Sequence, residues 1–288
     1  MGNLSDIKRR LESVRQTRRI TSAMKTVSVA KMRKASEAYE KSREYMRLLT
    51  RVVDAVAASE ITDERERLFF DPPHIGRRLL LVISTDRGLC GGFDNEISKL
   101  ASATINDDTV VMPIGRTAGE RFKASKGADL RFVESYSAEY SVAKKISDAI
   151  LDMYGVTVDE VSVAYCDMLS HATYKPTVKT ILPVKREPSE AQAAIYDFEP
   201  SEYEILQALL PLYLYASVYD AVLCNTVAEH CARRAAMSAA TDSADRLANT
   251  LSIEYNRARQ ASVTEQIIEI IGSTSALDRQ GGDNEKRS

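Results

Sequence analysis

Apolar residues near the start of the chain recur at alternating spacings of three and four positions. This spacing gathers side chains on one helix face and is typical of a coiled-coil seam; the residues are Leu4, Ile7, Leu11 and Val14. The same register continues through polar side chains, which are Arg18, Thr21, Lys25 and Ser28. A second apolar stripe runs beside it, formed by Ile20, Met24 and Val27. Neither glycine nor proline stands between Asn3 and Asp71, so a long helix is predicted up to about residue 58.

A second long helical pattern fills the end of the chain. No glycine stands between residues 156 and 271, and no proline follows Pro211. The pattern predicts a seam formed by Ala244, Leu247, Leu251, Tyr255 and Ala258. A wider apolar face follows it, formed by Val263, Ile267, Ile268, Ile270 and Ile271. We expect the two long helices to pair.

The middle of the chain alternates between short apolar runs and helical segments. Strands are predicted at 79–84, 109–114, 158–165 and 177–184, with helices near 94–105, 116–125 and 139–154. Such alternation favours a largely parallel sheet flanked by helices. The predicted fold class is α/β: a long antiparallel coiled coil of N- and C-terminal helices with an inserted Rossmann-like α/β domain.

The predicted domain division follows from these patterns. The N-terminal shaft helix takes residues 1–58, a connection with Pro72-Pro73 takes 59–78, and the α/β domain takes 79–200. The C-terminal shaft helix takes 201–277, and a disordered, glycine-containing tail takes 278–288.

The distribution of charge supports pairing of the two ends. The whole chain has a formal net charge of −2, but residues 1–51 hold 14 basic and 5 acidic side chains, a net +9. Residues 201–277 hold 5 arginines and 9 acidic side chains, a net −4. Helices of opposite charge attract each other, which favours an antiparallel pair closed by the inserted domain.

A glycine-rich turn, Asp86-Arg87-Gly88-Leu89-Cys90-Gly91-Gly92-Phe93-Asp94, follows the first predicted strand. Nucleotide phosphates often bind at such a turn. The spacing fits neither the G-x-G-x-x-G dinucleotide motif nor a Walker loop, and Asp94 would repel a phosphate. Cys90 has no histidine near it in sequence to activate it as a nucleophile. We therefore predict no catalytic residue, no cofactor and no metal.

Two other functions are compatible with these patterns. The first is a Rossmann-like nucleotide-binding enzyme with coiled-coil arms, suggested by the glycine-rich turn after a strand. The second is a nucleic-acid-binding coiled coil, suggested by ten basic residues between Lys8 and Lys34. In a coiled-coil zipper that binds DNA, a basic region precedes the seam. In this helix the basic residues instead run through the seam, so contact with acidic protein surfaces is favoured.

Three segments of the chain resemble the gamma subunit of F-type ATP synthases. They are residues 7–25 (IKRRLESVRQTRRITSAMK), residues 86–93 (DRGLCGGF) and residues 255–264 (YNRARQASVT), the last preceded by Ala239-Ala240-Thr241-Asp242. They lie at the start, middle and end of the chain, in the order and spacing of that family. The sequence departs from the family pattern at Asp94, where the family often has Asn.

The resemblance implies a central rotor subunit that transmits torque and couples proton flow to ATP synthesis or hydrolysis. The implied partners are three alpha and three beta subunits, the epsilon subunit and the membrane ring of c subunits. Catalysis would reside in the beta subunits. The chain would lie at the cytoplasmic face of a bacterial cell membrane, without a transmembrane segment of its own.

The resemblance also implies contacts between rotor and stator. Met24, Lys25 and Arg233 are similar to the family's shaft region near the beta lever segments, and Arg87 and Cys90 stand in the loop near the shaft's foot. The upper contact with the ring corresponds to Arg259, Gln260 and Thr264. For any one of these residues the alternative is ordinary solvated polarity of a helix.

Overall fold

A computed structural model describes residues 2–57, 67–125, 127–134, 136–170, 173–185 and 202–285. The two long helices are α1 (Gly2–Ala57) and α6 (Glu202–Glu285). Between them come α2 (Arg67–Phe70), β1 (Arg78–Ile83), α3 (Phe93–Thr104), β2 (Thr109–Ile114), α4 (Arg116–Phe122), α5 (Tyr140–Leu151), β3 (Glu160–Ser170) and β4 (Thr173–Leu182). The predicted fold class, two long terminal helices around an α/β insert, is confirmed.

The chain divides into two compact units. The coil unit contains residues 1–25 and 237–288, and the sheet unit contains residues 26–236. Helices α1 and α6 each contribute to both units. The division cuts through these helices, so it does not test the boundaries predicted at residues 58, 78, 200 and 277, which stay predictions. Residues 58–66 and 186–201, within the predicted connection and around the predicted end of the α/β domain, lie outside the described residues.

In the coil unit, α1 and α6 run antiparallel. Thr241 donates a hydrogen bond to Thr21, with 2.8 Å between the hydroxyl oxygens, and Arg18 forms an ion pair with Asp245. A step of three residues along α1 thus corresponds to a step of four in the opposite direction along α6. The buried side chains of this unit lie in the same seam; they are Leu11, Thr21, Met237, Ala244 and Leu251.

The seam of α1 that begins at Leu4 continues in the same register at the polar positions 21 and 28. Thr21 and Ser28 are buried, whereas Ile20 and Val27 of the second stripe are each more than half exposed. On α6 the position predicted for Leu247 was wrong, because this side chain is 50% exposed and the neighbouring Ala248 is partly buried. The step of four from Ala244 to position 248 continues the alternation that Met237, Thr241 and Ala244 establish.

In the sheet unit the two helices also pair antiparallel. Tyr39 shares a hydrogen bond with Cys224, and Ser42 shares one with Asp220. One turn further along α1, the hydroxyl of Ser217 lies 4.0 Å from the sulfur of Met46.

The sheet has the strand order β2-β1-β3-β4. β1 pairs in parallel with β2 and β3, and β4 adds to β3 as an antiparallel edge strand. The central strand β1 is buried on both faces, as expected for a parallel strand covered by helices. One face packs against α1, α2, α5 and the N-terminal part of α6 up to Cys224, and the other packs against α3, α4 and a short part of α6.

Helix α6 is longer than the sequence indicates. It includes Pro211 and continues to Glu285, through most of the segment predicted as a disordered tail. Extending an existing helix adds one hydrogen bond per residue without a new nucleus, so isolated helix breakers need not end it.

Part of α6 is apolar enough to cross a membrane by length and composition alone. Its most apolar 18-residue window has a mean hydropathy of 1.3, and half of that window is buried inside the fold. A core helix has the same composition, so the window does not indicate a transmembrane segment.

Candidate functional site

The glycine-rich turn between β1 and α3 is closed by a carboxylate of its own chain. Asp94, in the first turn of α3, accepts hydrogen bonds from the backbone N–H of Thr85 (3.0 Å) and from the Thr85 hydroxyl (2.7 Å). Leu89 and Gly91 take left-handed backbone conformations, with φ of 68° and 66°. A phosphate cradle would present free N–H groups here, whereas this turn presents a negative charge.

Cys90 is a buried residue of this turn. Its side chain is 3% exposed, and the thiol donates a hydrogen bond to Asp94 at 3.3 Å. Burial, and then the negative charge of Asp94, raise the pKa of the Cys90 thiol to about 11. The thiol therefore stays protonated near neutral pH and is a poor nucleophile.

Helix α6 holds the turn through one buried arginine. Arg233 is 8% exposed, and its Nη2 donates to the carbonyl oxygen of Arg87 at 2.8 Å. The carbonyl oxygen of Gly88 lies 3.4 Å from both Nε and Nη2. The guanidinium of Arg233 thus spans two successive carbonyls of the turn.

Glu229 compensates the charge of this arginine inside the fold. One of its carboxylate oxygens accepts a 2.6 Å hydrogen bond from Nη1 of Arg233, and the other accepts a 2.7 Å hydrogen bond from the Tyr136 hydroxyl. Burial and the charge of Glu229 raise the pKa of Tyr136 well above its ordinary value, so the phenol remains a donor. Both carboxylate oxygens therefore have partners, as a buried ion pair requires.

The network continues to the sheet. Asn225 donates to the Tyr136 hydroxyl at 3.4 Å, and its side-chain oxygen accepts the backbone N–H of Cys166 in β3 at 3.1 Å. The neighbouring His230 lies 3.3 Å from Arg233, and burial, followed by the charges of Arg233 and Lys31, lowers its pKa to about 4. His230 is therefore neutral at pH 7, and the ion pair carries no additional positive charge from it.

The predicted contact residues fall into two groups. Arg87, Arg259, Gln260 and Thr264 are exposed, and Met24 and Lys25 are partly buried. Arg259, Gln260 and Thr264 line one shallow depression on α6, together with Asn256 and Val263. Arg233 and Cys90 are buried and make their contacts within the chain. Contact with a stator stays a prediction for all eight residues.

Sequence reasoning missed Glu229, Tyr136 and Asn225. Glu229 precedes Arg233 by four positions, a helical spacing that brings opposite charges together and could have indicated the pair. Tyr136 is separated from Glu229 by 93 residues, and no local pattern predicts their contact. Within the described part of the chain, no cluster of His, Cys, Asp and Glu could hold a metal ion.

Comparison with known proteins identifies the family. A family model described as ATP synthase matches residues 3–277. The ATP synthase gamma chain of Fusobacterium nucleatum is 37% identical over 287 residues, an alignment that covers 96% of this chain and all of the relative. The ATP synthase gamma chain of Roseobacter denitrificans is 35% identical with the same coverage.

The chain belongs to the ATP synthase gamma-chain family. The resemblance of its three segments is thereby confirmed, and with it the role of a central rotor subunit of an ATP synthase.

Solved structures of two mitochondrial ATP synthases contain chains with the fold of this gamma-chain family member. A chain from the Euglena gracilis mitochondrial ATP synthase, in a structure of OSCP, F1 and the c-ring, matches with a TM-score of 0.67 and 16% identity, covering 96% of this chain and 95% of that one. A chain from the central stalk and c-ring of the Tetrahymena thermophila enzyme matches with a TM-score of 0.58 and 21% identity, covering 77% and 99%. At this identity they show the fold.

Proposed function

We propose that this chain transmits torque between a membrane ring of c subunits and a catalytic ring of three alpha and three beta subunits, and that the beta subunits carry out the catalysis. The observation that carries the proposal is the antiparallel pairing of α1 and α6, held by cross-helix contacts in the coil unit and again in the sheet unit. Paired helices with packed seams resist separation under twist, because close-packed interiors are hardly compressible. The solved relatives are described as parts of a rotor, a central stalk and F1/c-ring assemblies, which supports these partners.

Further parts of the proposal are the epsilon subunit as a partner and a position at the cytoplasmic face of the membrane. The chemistry of the glycine-rich turn supports a non-catalytic role. Its thiol is protonated, and both of its carboxylates accept hydrogen bonds: Asp94 accepts from Thr85 and Cys90, and Asp86 accepts from the backbone N–H of Arg116. None of these groups is therefore set up to attack a substrate.

Native purification of the complex tests the proposal. We expect one copy of this chain with three alpha and three beta subunits, measured by mass spectrometry of the intact assembly. A chain that purifies alone and binds ATP or duplex DNA tightly, without larger subunits, would instead support the nucleotide-binding or nucleic-acid-binding alternative.

The exposed depression on α6 is the proposed contact with the stator ring. Replacing Arg259 and Gln260 together by Ala should slow steady-state ATP hydrolysis by the assembled complex by roughly tenfold, because one lost charge-assisted hydrogen bond is worth about 1.5–3 kcal/mol. Arg257→Ala is the matched control, since this exposed arginine points to another side of the same helix turn. Equal hydrolysis rates for the double variant and the control would contradict the contact.

A further inference from the structure

We propose that Arg233 is a positioning residue that ties the turn of residues 86–92 to helix α6, so that the exposed Arg87 and Leu89 move with the helix as one body. This inference rests on the proposed rotor function and deepens it. Arg233 would then contact the turn of its own chain and not the stator, and this contact would make the exposed surface of the turn move with the helix.

The first argument is that the guanidinium of Arg233 makes its hydrogen bonds within the chain. Arg233 directs Nη2 toward the turn and Nη1 toward Glu229, at 2.8 Å and 2.6 Å. With the side chain 9% exposed, little of the guanidinium reaches the surface. An arginine presents several donors in a planar fork, and this one connects the turn with the carboxylate on its own helix.

The second argument is the rigidity of what Arg233 holds. The carbonyls of Arg87 and Gly88 immediately precede Leu89, whose positive φ is uncommon for a residue with a side chain. Such conformations persist where surrounding contacts fix them, and here these are the arginine on one side and the Thr85–Asp94 pair on the other.

The third argument is what the held turn presents. Leu89 is 60% exposed although it is a large apolar residue, and Arg87 beside it is also exposed. A basic and an apolar side chain are thus presented at a fixed position, and Cys90, the next residue, is buried. A surface that pushes against a partner transmits force only if its base does not yield.

The fourth argument is that hydrogen bonds to other parts of the fold hold Arg233 in place. Glu229 is fixed by the hydroxyl of Tyr136, and Tyr136 is linked through Asn225 to the backbone of β3. Arg233 is therefore held from the sheet as well as from the helix, and rotation of its side chain away from the turn would break the buried ion pair.

The conservative variant Arg233→Lys separates the tie from the ion pair. A lysine keeps a positive charge beside Glu229 but offers one ammonium group, which cannot reach Glu229 and the two carbonyls of the turn together. In the isolated chain we expect a melting temperature close to that of the wild type. Alkylation of Cys90 by iodoacetamide should be roughly tenfold faster, since about one charge-assisted hydrogen bond no longer opposes opening of the turn. The positive charge is retained, so the rate reports access to the thiol.

In the assembled complex, the readout is the membrane potential generated per ATP hydrolysed in inverted membrane vesicles, followed with a potential-sensitive dye. We expect this ratio to fall severalfold for Arg233→Lys and to be unchanged for Arg234→Lys, the adjacent, partly buried arginine. A merely structural role would lower the amount of assembled complex without changing the ratio.

Two results would overturn the proposal. One is a Cys90 alkylation rate equal to that of the wild type, and the other is faster alkylation with an unchanged ratio. Failure of the proposed rotor function would give a different result: the wild-type chain would be missing from a purified complex that pumps ions.

Discussion

Replacing Glu229 by Ala is expected to lower the free energy of unfolding by about 3–5 kcal/mol, the range for removing one partner of a buried ion pair. The substitution leaves Arg233 buried without its counter-charge and removes the carboxylate that accepts from the Tyr136 hydroxyl at 2.7 Å. The cost comes mainly from the desolvated positive charge that remains, and less from the attraction that is lost. Urea unfolding followed by circular dichroism measures it; the chain contains no tryptophan to serve as a fluorescent probe.

The double variant identifies the mechanism. Removing Arg233 together with Glu229 eliminates the unpaired charge, so we expect the double variant to lose less than the two single variants combined. Glu254→Ala is a suitable control on the same helix, because this carboxylate is exposed. Additive losses in the double variant, or a loss for Glu229→Ala no larger than that of the control, would refute the buried-charge explanation.

The second large effect is expected at Gly115, in the turn between β2 and α4. Its φ is 90°, and a Cβ atom built there would lie 2.8 Å from the backbone oxygen of Ser84 at the end of β1. That part of the chain cannot yield easily: the N–H of Ser84 donates to the carbonyl of Ile114 at 2.9 Å, and the N–H of Ala118 donates to the Ser84 hydroxyl at 2.7 Å.

Gly115→Ala should therefore lower the free energy of unfolding by about 2–6 kcal/mol, from about 1–3 kcal/mol of backbone strain and a similar cost of overpacking. Gly88→Ala is the matched control, because its backbone is not left-handed and no atom lies within 4 Å of an added Cβ. Thermal or urea unfolding compares the two variants. Equal stability of both would show that the turn after β2 relaxes at little cost.

Much of the fold could be predicted because each element has its own local signal. The apolar runs of β1 and β2, and the absence of glycine and proline from residues 3–57 of α1, are visible in short windows. The predicted positions of the two strands agree with the structure to within one residue. The exact seam was harder to predict. Leu247 is the more hydrophobic residue, yet Ala248 lies in the register, because heptad geometry and not hydrophobicity selects the side chain between the helices.

The candidate site depends on contacts that no window contains. The turn near Arg87 was recognised from its glycines, but its attachment to Arg233 spans 146 residues. The family resemblance implied that Arg233 contacts the stator, and nothing in its local sequence indicated that the side chain is buried. Its burial results from the meeting of helix α6 with two segments distant in sequence: the guanidinium contacts the turn at Arg87, and the carboxylate of Glu229 contacts Tyr136.

The opposed steps along α1 and α6 constrain how such a chain can evolve. Position 18 meets 245 and 21 meets 241 in the coil unit, and 42 meets 220 and 46 meets 217 in the sheet unit. A single deletion in either helix would turn all later side chains by about 100° away from their partners. Viable changes of helix length should therefore come as compensated insertions or deletions, in multiples of seven residues and in both helices, whereas single-residue changes can accumulate only in the chain between them.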